Sequence, residues 1–506
     1  MERFLPTAKR RSLPVAVLGA LTAATLLSTV ASAAEPSPTA ADPAVAAEQA
    51  PPTTAAPAST AKRVATPIVT GPVPAAMPPG TDLAHNYPQL AAEPGFDLSG
   101  RGYVEEEYFF EGKATRYDTP PMADGVALST GNPYKTRMIV RRPDDPAKFN
   151  GTVIVEWVNV TSGYNLDVHW QASRDYLTRE GYAYVGVSAQ RVGVQQEPYG
   201  LTAWSPTRYG TLDVTAGGTI TDDSLSYDIF SQAGQAVRTD LAVLGGLRPA
   251  TVLAVGQSQS ASRLALYYNS IHPLAQVYDG FMLFVGSGGP FRTDVPAKLL
   301  RISTETEVFL GRVPKQADSG VLRSWEIAGD SHVDYWFMMN RMQGVARDGL
   351  KPFSFTCDRP PLSHVDTKNV LNAGYHHLVD WVRHDKQPPT AQPIRTTSTP
   401  DGVVVPRDEN GLAFGGIRLA EVDAPTATNT GENSGQELCR LYGSHEPFTA
   451  EKLASLYPTH DAYVRAVRDV TNRNLRAGFI LKHDADETVR EAEASRVGTP
   501  NPMPIP

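Results

Sequence analysis

Thr251-Val-Leu-Ala-Val-Gly-Gln-Ser-Gln-Ser-Ala-Ser-Arg-Leu-Ala-Leu-Tyr-Tyr268 is the stretch on which the reading of the chain turns. It opens with apolar, partly β-branched residues, passes Gly256, rounds a tight corner at Ser258, and continues with Ala261, Leu264, Ala265 and Tyr268 at helical spacing. That is strand, sharp turn, helix. A serine lifted on such a turn exposes its hydroxyl with a helix N-terminus behind it, which favours negative charge developing on a bound carbonyl oxygen. The stretch departs from Gly-X-Ser-X-Gly at one place, because Ser260 stands where the second glycine is usual. Strand and helix backbones approach closely there, so a small serine fits only with some strain.

Outward from the corner, strand-like and helix-like segments alternate. Thr152-Val-Ile-Val-Glu-Trp-Val158 reads as a buried strand ending in the turn-forming cluster Asn159-Val-Thr-Ser-Gly163. A helix over Asp167–Glu180, a strand over Ala183–Ser188 and helical text from about Leu225 to Leu244, broken by Gly234, lead up to Thr251. Strands Val277–Val285, Lys298–Thr304 and Arg323–Ala328 follow, then a helix over Val370–Arg383. Upstream, Tyr103–Phe110 and Arg137–Arg141 are strand-like, and Ile68–Leu98 suggests an extended arm. The alternation predicts an α/β domain over residues 66–394, with a mostly parallel central sheet covered by helices on both faces. Residues 395–506 are turn-rich, then helical near Thr449–Leu456, Asp461–Arg476 and Asp486–Ala494, and read as a C-terminal extension docked on that domain.

Lys9, Arg10 and Arg11 precede the apolar run Leu13 to Val30 and the small-residue site Ala31-Ser-Ala33. Residues 1–33 therefore read as a cleavable signal peptide, and the protein as secreted. Residues 34–65 are an Ala/Pro/Thr-rich tether with too little apolar surface to fold. The chain carries −8 overall, and without residues 1–33 it has 42 basic against 53 acidic side chains, a charge of −11. That balance argues against nucleic acid and anionic membrane surfaces as partners. No other stretch is long and apolar enough to span a bilayer. Of the 506 residues two are cysteine, Cys357 and Cys439, and export to an oxidising compartment predicts that they pair.

A serine hydroxyl is a weak nucleophile until a base takes its proton, so Ser258 requires a histidine and an orienting carboxylate. His332 follows strand Arg323–Ala328 across Gly329-Asp-Ser, at the carboxyl edge where reactive groups gather in open α/β sheets. His364, in a proline-flanked loop, is the second choice, whereas His85 and His169 precede the corner in the chain. For the acid, the strand ending at Thr304 offers Glu305 and Glu307; spacing favours Glu307, with Glu305 as the alternative. The other glutamate is expected to be a solvated turn residue or a partner of Arg301 or Arg312. Two backbone donors are expected for the oxyanion: the N–H of Gln259, and one from the turn holding Val160 and Thr161. The glycosylation-type triplet Asn159-Val-Thr161 would lie beside that pocket and is not expected to be modified. Asp330, His332 and Asp334 as metal ligands would alternate along one short loop, an awkward geometry. No metal and no cofactor is expected.

Six segments together resemble the exported alpha/beta hydrolase domain-containing proteins, over about residues 66 to 495. They are Leu253 to Tyr268, Thr152 to Gly163, Ser303 to Val308, Ile327 to Asp334, Asn410-Gly-Leu-Ala-Phe-Gly-Gly-Ile-Arg418 and Leu456-Tyr-Pro-Thr-His-Asp-Ala-Tyr463. The resemblance implies an alpha/beta-hydrolase fold and makes Ser260 a family feature. The resulting expectation is a secreted serine hydrolase that cleaves a small-molecule or polymer carboxylic ester through Ser258, His332 and Glu307 and an acyl-enzyme. The alternative is a non-catalytic binding or surface protein that keeps the fold. Substrate identity and oligomeric state stay open.

Overall fold

The computed structural model describes residues 64–74, 85–92, 95–400 and 402–499. The expected signal peptide, and all but the last two residues of the expected tether, lie outside them. Nine strands form one sheet: β1 (Ile68–Thr70), β2 (Tyr103–Asp118), β3 (Val126–Pro143), β4 (Thr152–Trp157), β5 (Ala183–Val187), β6 (Thr251–Gln257), β7 (Gly280–Phe284), β8 (Lys298–Thr304) and β9 (Leu322–Ile327). Their order is β1-β2-β3-β5-β4-β6-β7-β8-β9. Strands β5 through β9 pair in parallel, and β1, β2 and β3 make an antiparallel edge. This is the alpha/beta-hydrolase fold, with a mostly parallel sheet.

The principal helices of this part are α1 (Val168–Arg179), α2 (Ser226–Thr239), α3 (Gln259–Leu266), α4 (Glu305–Phe309), α5 (Tyr335–Arg347) and α6 (Thr367–His384). Alternate side chains of a strand point to opposite faces, and the core divides accordingly. Val153, Val155 and Trp157 of β4, with Val252 and Ala254 of β6, pack with Tyr227, Ile229 and Phe230 of α2 and Leu264 of α3. Ile154, Leu253 and Val255 face the other way, against Trp170 and Tyr176 of α1 and Leu371, Leu378 and Trp381 of α6. Burial on both faces explains why the central strands read as unbroken apolar runs.

Residues Glu305–Phe309, expected to belong to a link, form α4, and three further differences from expectation concern α2, α5 and the first hairpin. Helix α2 runs through Gly234 without a break; a Cβ there would lie 2.8 Å from Cζ of Tyr278, so the glycine makes room for a ring. Helix α5 was not anticipated; it starts at Asp334, whose carboxylate accepts from the Phe337 N–H at 2.7 Å. The β2–β3 hairpin runs well past the two short strands expected of it, to Asp118 and back from Val126.

The C-terminal residues share the sheet's second core. Val405, Leu412, Ile417, Leu419 and Ile480 lie in the same apolar cluster as Ile302 and Ile327. Ile417 also bridges in parallel to Ile327 beside β9. This region contributes helices α7 (Ala420–Asp423), α8 (His460–Ala477) and α9 (Lys482–Ala494). The expected disulfide is present, joining Cys357 to Cys439 across 82 positions. Closing so long a loop restricts the unfolded chain, so replacing both cysteines by serine should lower unfolding free energy by about 2–5 kcal/mol, read from denaturant titration.

Candidate active site

Ser258 sits between the last residue of β6 and the first of α3 with φ 57° and ψ −118°, a conformation that L-residues seldom adopt. Its surroundings hold it there. The Ser258 N–H donates to Phe284 O at 2.9 Å on the neighbouring strand, and its own carbonyl accepts from Ser262 N–H at 2.9 Å. A Cβ on Gly256 would stand 3.1 Å from the backbone of Ser260 and Ala261, so the close approach of strand and helix is relieved at Gly256. Ser260 is fully buried. Its hydroxyl donates to Gln257 O at 2.9 Å and accepts from Gln257 N–H at 3.1 Å, which ties the corner to itself.

The structure brings Ser258, His332 and Glu307 together. Ser258 Oγ donates to His332 Nε2 at 2.8 Å, and His332 Nδ1 donates to Glu307 Oε1 at 2.6 Å. An ionised carboxylate only accepts, so Glu307 fixes the tautomer with the proton on Nδ1 and leaves Nε2 free to accept. Glu307 is in turn fixed by a capping box at the start of α4, where Thr304 Oγ1 donates to Oε2 at 2.6 Å and Thr304 N–H at 3.2 Å. Thr306 Oγ1 accepts from the His332 N–H at 3.2 Å, so α4 holds the histidine by backbone as well as by ring. Ser258 is partly exposed, while Glu307 is wholly buried.

Glu305 is neither solvated nor paired with Arg301 or Arg312. Its carboxylate is buried, accepts from Gly329 N–H at 2.7 Å and Gly431 N–H at 3.1 Å, and pairs with Arg407 Nη2 at 2.7 Å. Two of these three partners, Arg407 and Gly431, lie more than a hundred positions away in the chain, which is why no local pattern announces them. Gly431 abuts α4 so closely that a Cβ would stand 2.3 Å from Thr306 N.

Behind the corner, Asn159 joins the end of β4 to the end of β6. Its side-chain amide donates to Gln257 O at 2.9 Å, and its Oδ1 accepts from Thr161 N–H at 2.7 Å. Thr161 N–H is thereby committed to Asn159, and no partner for Val160 N–H is found among the described residues. Gln259 N–H opens helix α3 directly after the serine. Asn159 is 1% exposed, too little for a glycan.

The profile described as alpha/beta hydrolase domain matches residues 69–490. The chain belongs to that family. A search of curated protein sequences finds no significant match. Solved structures resembling this hydrolase-family chain include a rice cell wall degrading esterase LipA of Xanthomonas oryzae, at 15% identity and TM-score 0.22, covering 37% of this chain and 46% of that one. A putative dienelactone hydrolase of Klebsiella pneumoniae gives 13%, TM-score 0.21, and 48% and 82% coverage. A putative acetyl xylan esterase of Bacteroides fragilis gives 11%, TM-score 0.24, and 49% and 64%. The chain thus spans less than half the length of the LipA structure, and likeness at these scores bears on neither substrate nor partners.

The remaining candidates stand apart from the serine. His364 stacks on His445 at 3.7 Å between ring centroids, and Asn429 Oδ1 takes both the His364 N–H, at 3.1 Å, and His445 Nδ1, at 2.8 Å. Asp330 bonds Thr367 and Asp334 caps α5, so the loop spends its acids on structure. Among the described residues the ligand atoms of Asp330, His332 and Asp334 do not converge.

Burial pushes His364 and His445 down to about 4 from an ordinary 6.5. The unfolded chain then takes up protons before the folded one as pH falls from about 6.5 toward 4, and stability is lost through that window. In His445→Phe, which keeps the stack without the charge, the loss between pH 7 and pH 5 should be about 1–2 kcal/mol smaller than in wild type, as measured by urea unfolding.

Proposed function

We propose that this family member is a secreted serine hydrolase of carboxylic esters, acting on a small-molecule or polymer ester. One observation carries the reading: the unbroken hydrogen-bond chain from Ser258 through His332 to Glu307. His332 Nε2 takes the Ser258 proton as Oγ attacks the ester carbonyl, and the imidazolium is stabilised by Glu307. The tetrahedral oxyanion rests on Gln259 N–H and Val160 N–H, at the positive end of α3. Collapse releases the alcohol with the proton from His332 and leaves an acyl group on Ser258. A water activated by the same histidine then releases the acid. The proposed roles call on side chains and backbone alone, with no cofactor. The Cys357–Cys439 bridge supports the assignment to an oxidising, extracellular compartment.

A fluorophosphonate probe should label wild-type protein at Ser258 and leave Ser258→Ala unlabelled. Failure to label the wild type would favour a non-catalytic binding protein that keeps the fold. Turnover of chromogenic esters should fall about 10⁴–10⁶-fold in Ser258→Ala.

The two glutamates separate by the same assay. Glu307→Gln should lower kcat roughly 10³–10⁴-fold with little change in melting temperature, by presenting the wrong partner to Nδ1. Glu305→Gln should mainly lower the melting temperature, because it weakens the buried pair with Arg407. The reverse pattern would assign the acid to Glu305.

A further inference from the structure

Strands β8 and β9 turn Leu300, Ile302, Trp325 and Ile327 into the second core, so alternation sends Arg301, Ser324 and Glu326 to the opposite face. There they floor an open cleft of about 1130 Å³, larger than the roughly 300–1,000 Å³ of an ordinary small-molecule site. Strand register sets Arg301 beside Ser324. The side walls are mostly apolar: Val308 of α4, Val313, Ile394, Pro406, and Val403 of a small hairpin in which β10 (Thr397–Thr399) pairs with β11 (Gly402–Val404). Lys315 and Arg395 also line the cleft and are exposed. Ser258, His332 and Glu307 are not part of it.

Arg301 is 4% exposed, yet its guanidinium is almost unspent. Its one hydrogen bond among the described residues runs from Nη1 to Pro314 O at 3.2 Å, and no carboxylate among them lies within ion-pair distance. Its Nε is screened from solvent and has no partner, and the same holds for Ser324 Oγ beside it. Two acids lie within electrostatic reach, Glu326 and Asp318, but both have other engagements. Asp318 accepts from Arg323 Nη1 at 2.7 Å and from Ser324 N–H at 2.9 Å, and Glu326 Oε2 accepts from Ile394 N–H at 2.8 Å. Burial lowers the pKa of Arg301, but a guanidinium keeps its proton at neutral pH. Lys315 and Arg395 form no ion pair among the described residues; Arg395 lies over the Phe414 ring. Buried polar atoms are paired in the great majority of cases, and a buried charge is costly unless paired. An unspent fork of N–H donors on the floor of a cleft therefore points to an anionic occupant.

We propose that this cleft is a second binding site, for an organic monocarboxylate with an apolar body. The carboxylate seats on Arg301, whose planar fork matches two oxygens at once, and Ser324 Oγ donates beside it. The apolar remainder lies along Val313, Ile394 and Val403, and Lys315 and Arg395 favour an anion at the mouth. Val308, the residue after Glu307, forms part of the wall, so the occupant meets the helix that holds the triad without meeting the triad. The site does not depend on ester hydrolysis at Ser258.

The test is calorimetric titration of the full chain with sodium octanoate, octanamide and inorganic phosphate as probes. Octanoate should bind at one site, and octanamide, which keeps the apolar chain without the charge, roughly 10–100-fold more weakly, as loss of a charge-assisted contact implies. Arg301→Gln, checked for folding by far-ultraviolet circular dichroism, should lose octanoate affinity by a similar factor. Lys315→Glu, at an exposed position, should weaken octanoate roughly 2–10-fold at low salt and leave octanamide unchanged. Ser258→Ala should bind octanoate as wild type does, which separates this cleft from the proposed active site. No octanoate binding in wild type, equal binding of octanamide or of phosphate, or loss of binding in Ser258→Ala would each overturn the proposal. So would full octanoate affinity in folded Arg301→Gln or, where that variant does not fold, in Lys315→Glu.

Discussion

The backbone of Ser258 is held at a positive φ, and the rest of the molecule is arranged so that it can stay there. Such a conformation costs on the order of 1–3 kcal/mol and persists only when the surroundings over-determine it. Strand β6 is buried along its whole length between β4 and β7, so its end cannot drift. Helix α3 fixes the other side of the corner, Gly256 admits it, and Ser260 turns its hydroxyl back onto Gln257. A glycine at 260 would relieve crowding but would lose both bonds to the Gln257 backbone.

The partners of that serine arrive from different strands, and each is locked by groups that do no chemistry in the proposed mechanism. Helix α4 is the organiser. Its three opening residues divide the work: Glu305 anchors the C-terminal region, Thr306 holds the His332 backbone, and Glu307 holds the His332 ring. Asn159 performs a comparable service on the other side of the corner. The site is therefore pre-organised by ordinary hydrogen bonds at the carboxyl ends of adjacent strands, where the parallel sheet exposes its turns.

Sequence made the strands and the corner legible, because long apolar runs and a Gly-X-Ser corner between a strand and a helix are local signals. The residue order Ser258, Glu307, His332 followed from asking what lies just past each strand. What escaped depended on tertiary partners. Glu305 looked like a turn residue because Arg407 and Gly431, its partners, lie more than a hundred positions away. Thr161 looked equivalent to Val160 until Asn159 was seen to occupy its N–H. Gly234 looked like a helix breaker, since the ring of Tyr278 that needs the space comes from another element. Helix α5 was available to a closer reading: Asp334 is an N-cap, and Phe337, Met338, Arg341 and Val345 form its buried stripe.

The bond between Glu305 and the C-terminal region ties the organising helix to residues that follow the whole sheet in the chain. Gly431 and Arg407 are synthesised after every strand of the sheet, yet without them a buried carboxylate on the organising helix has neither its cation nor one of its amide donors. A chain ending before residue 407 would hold all nine strands of the sheet and lack both of these partners of Glu305. The setting of the helix that holds His332 thus depends on residues that follow the whole sheet in the chain.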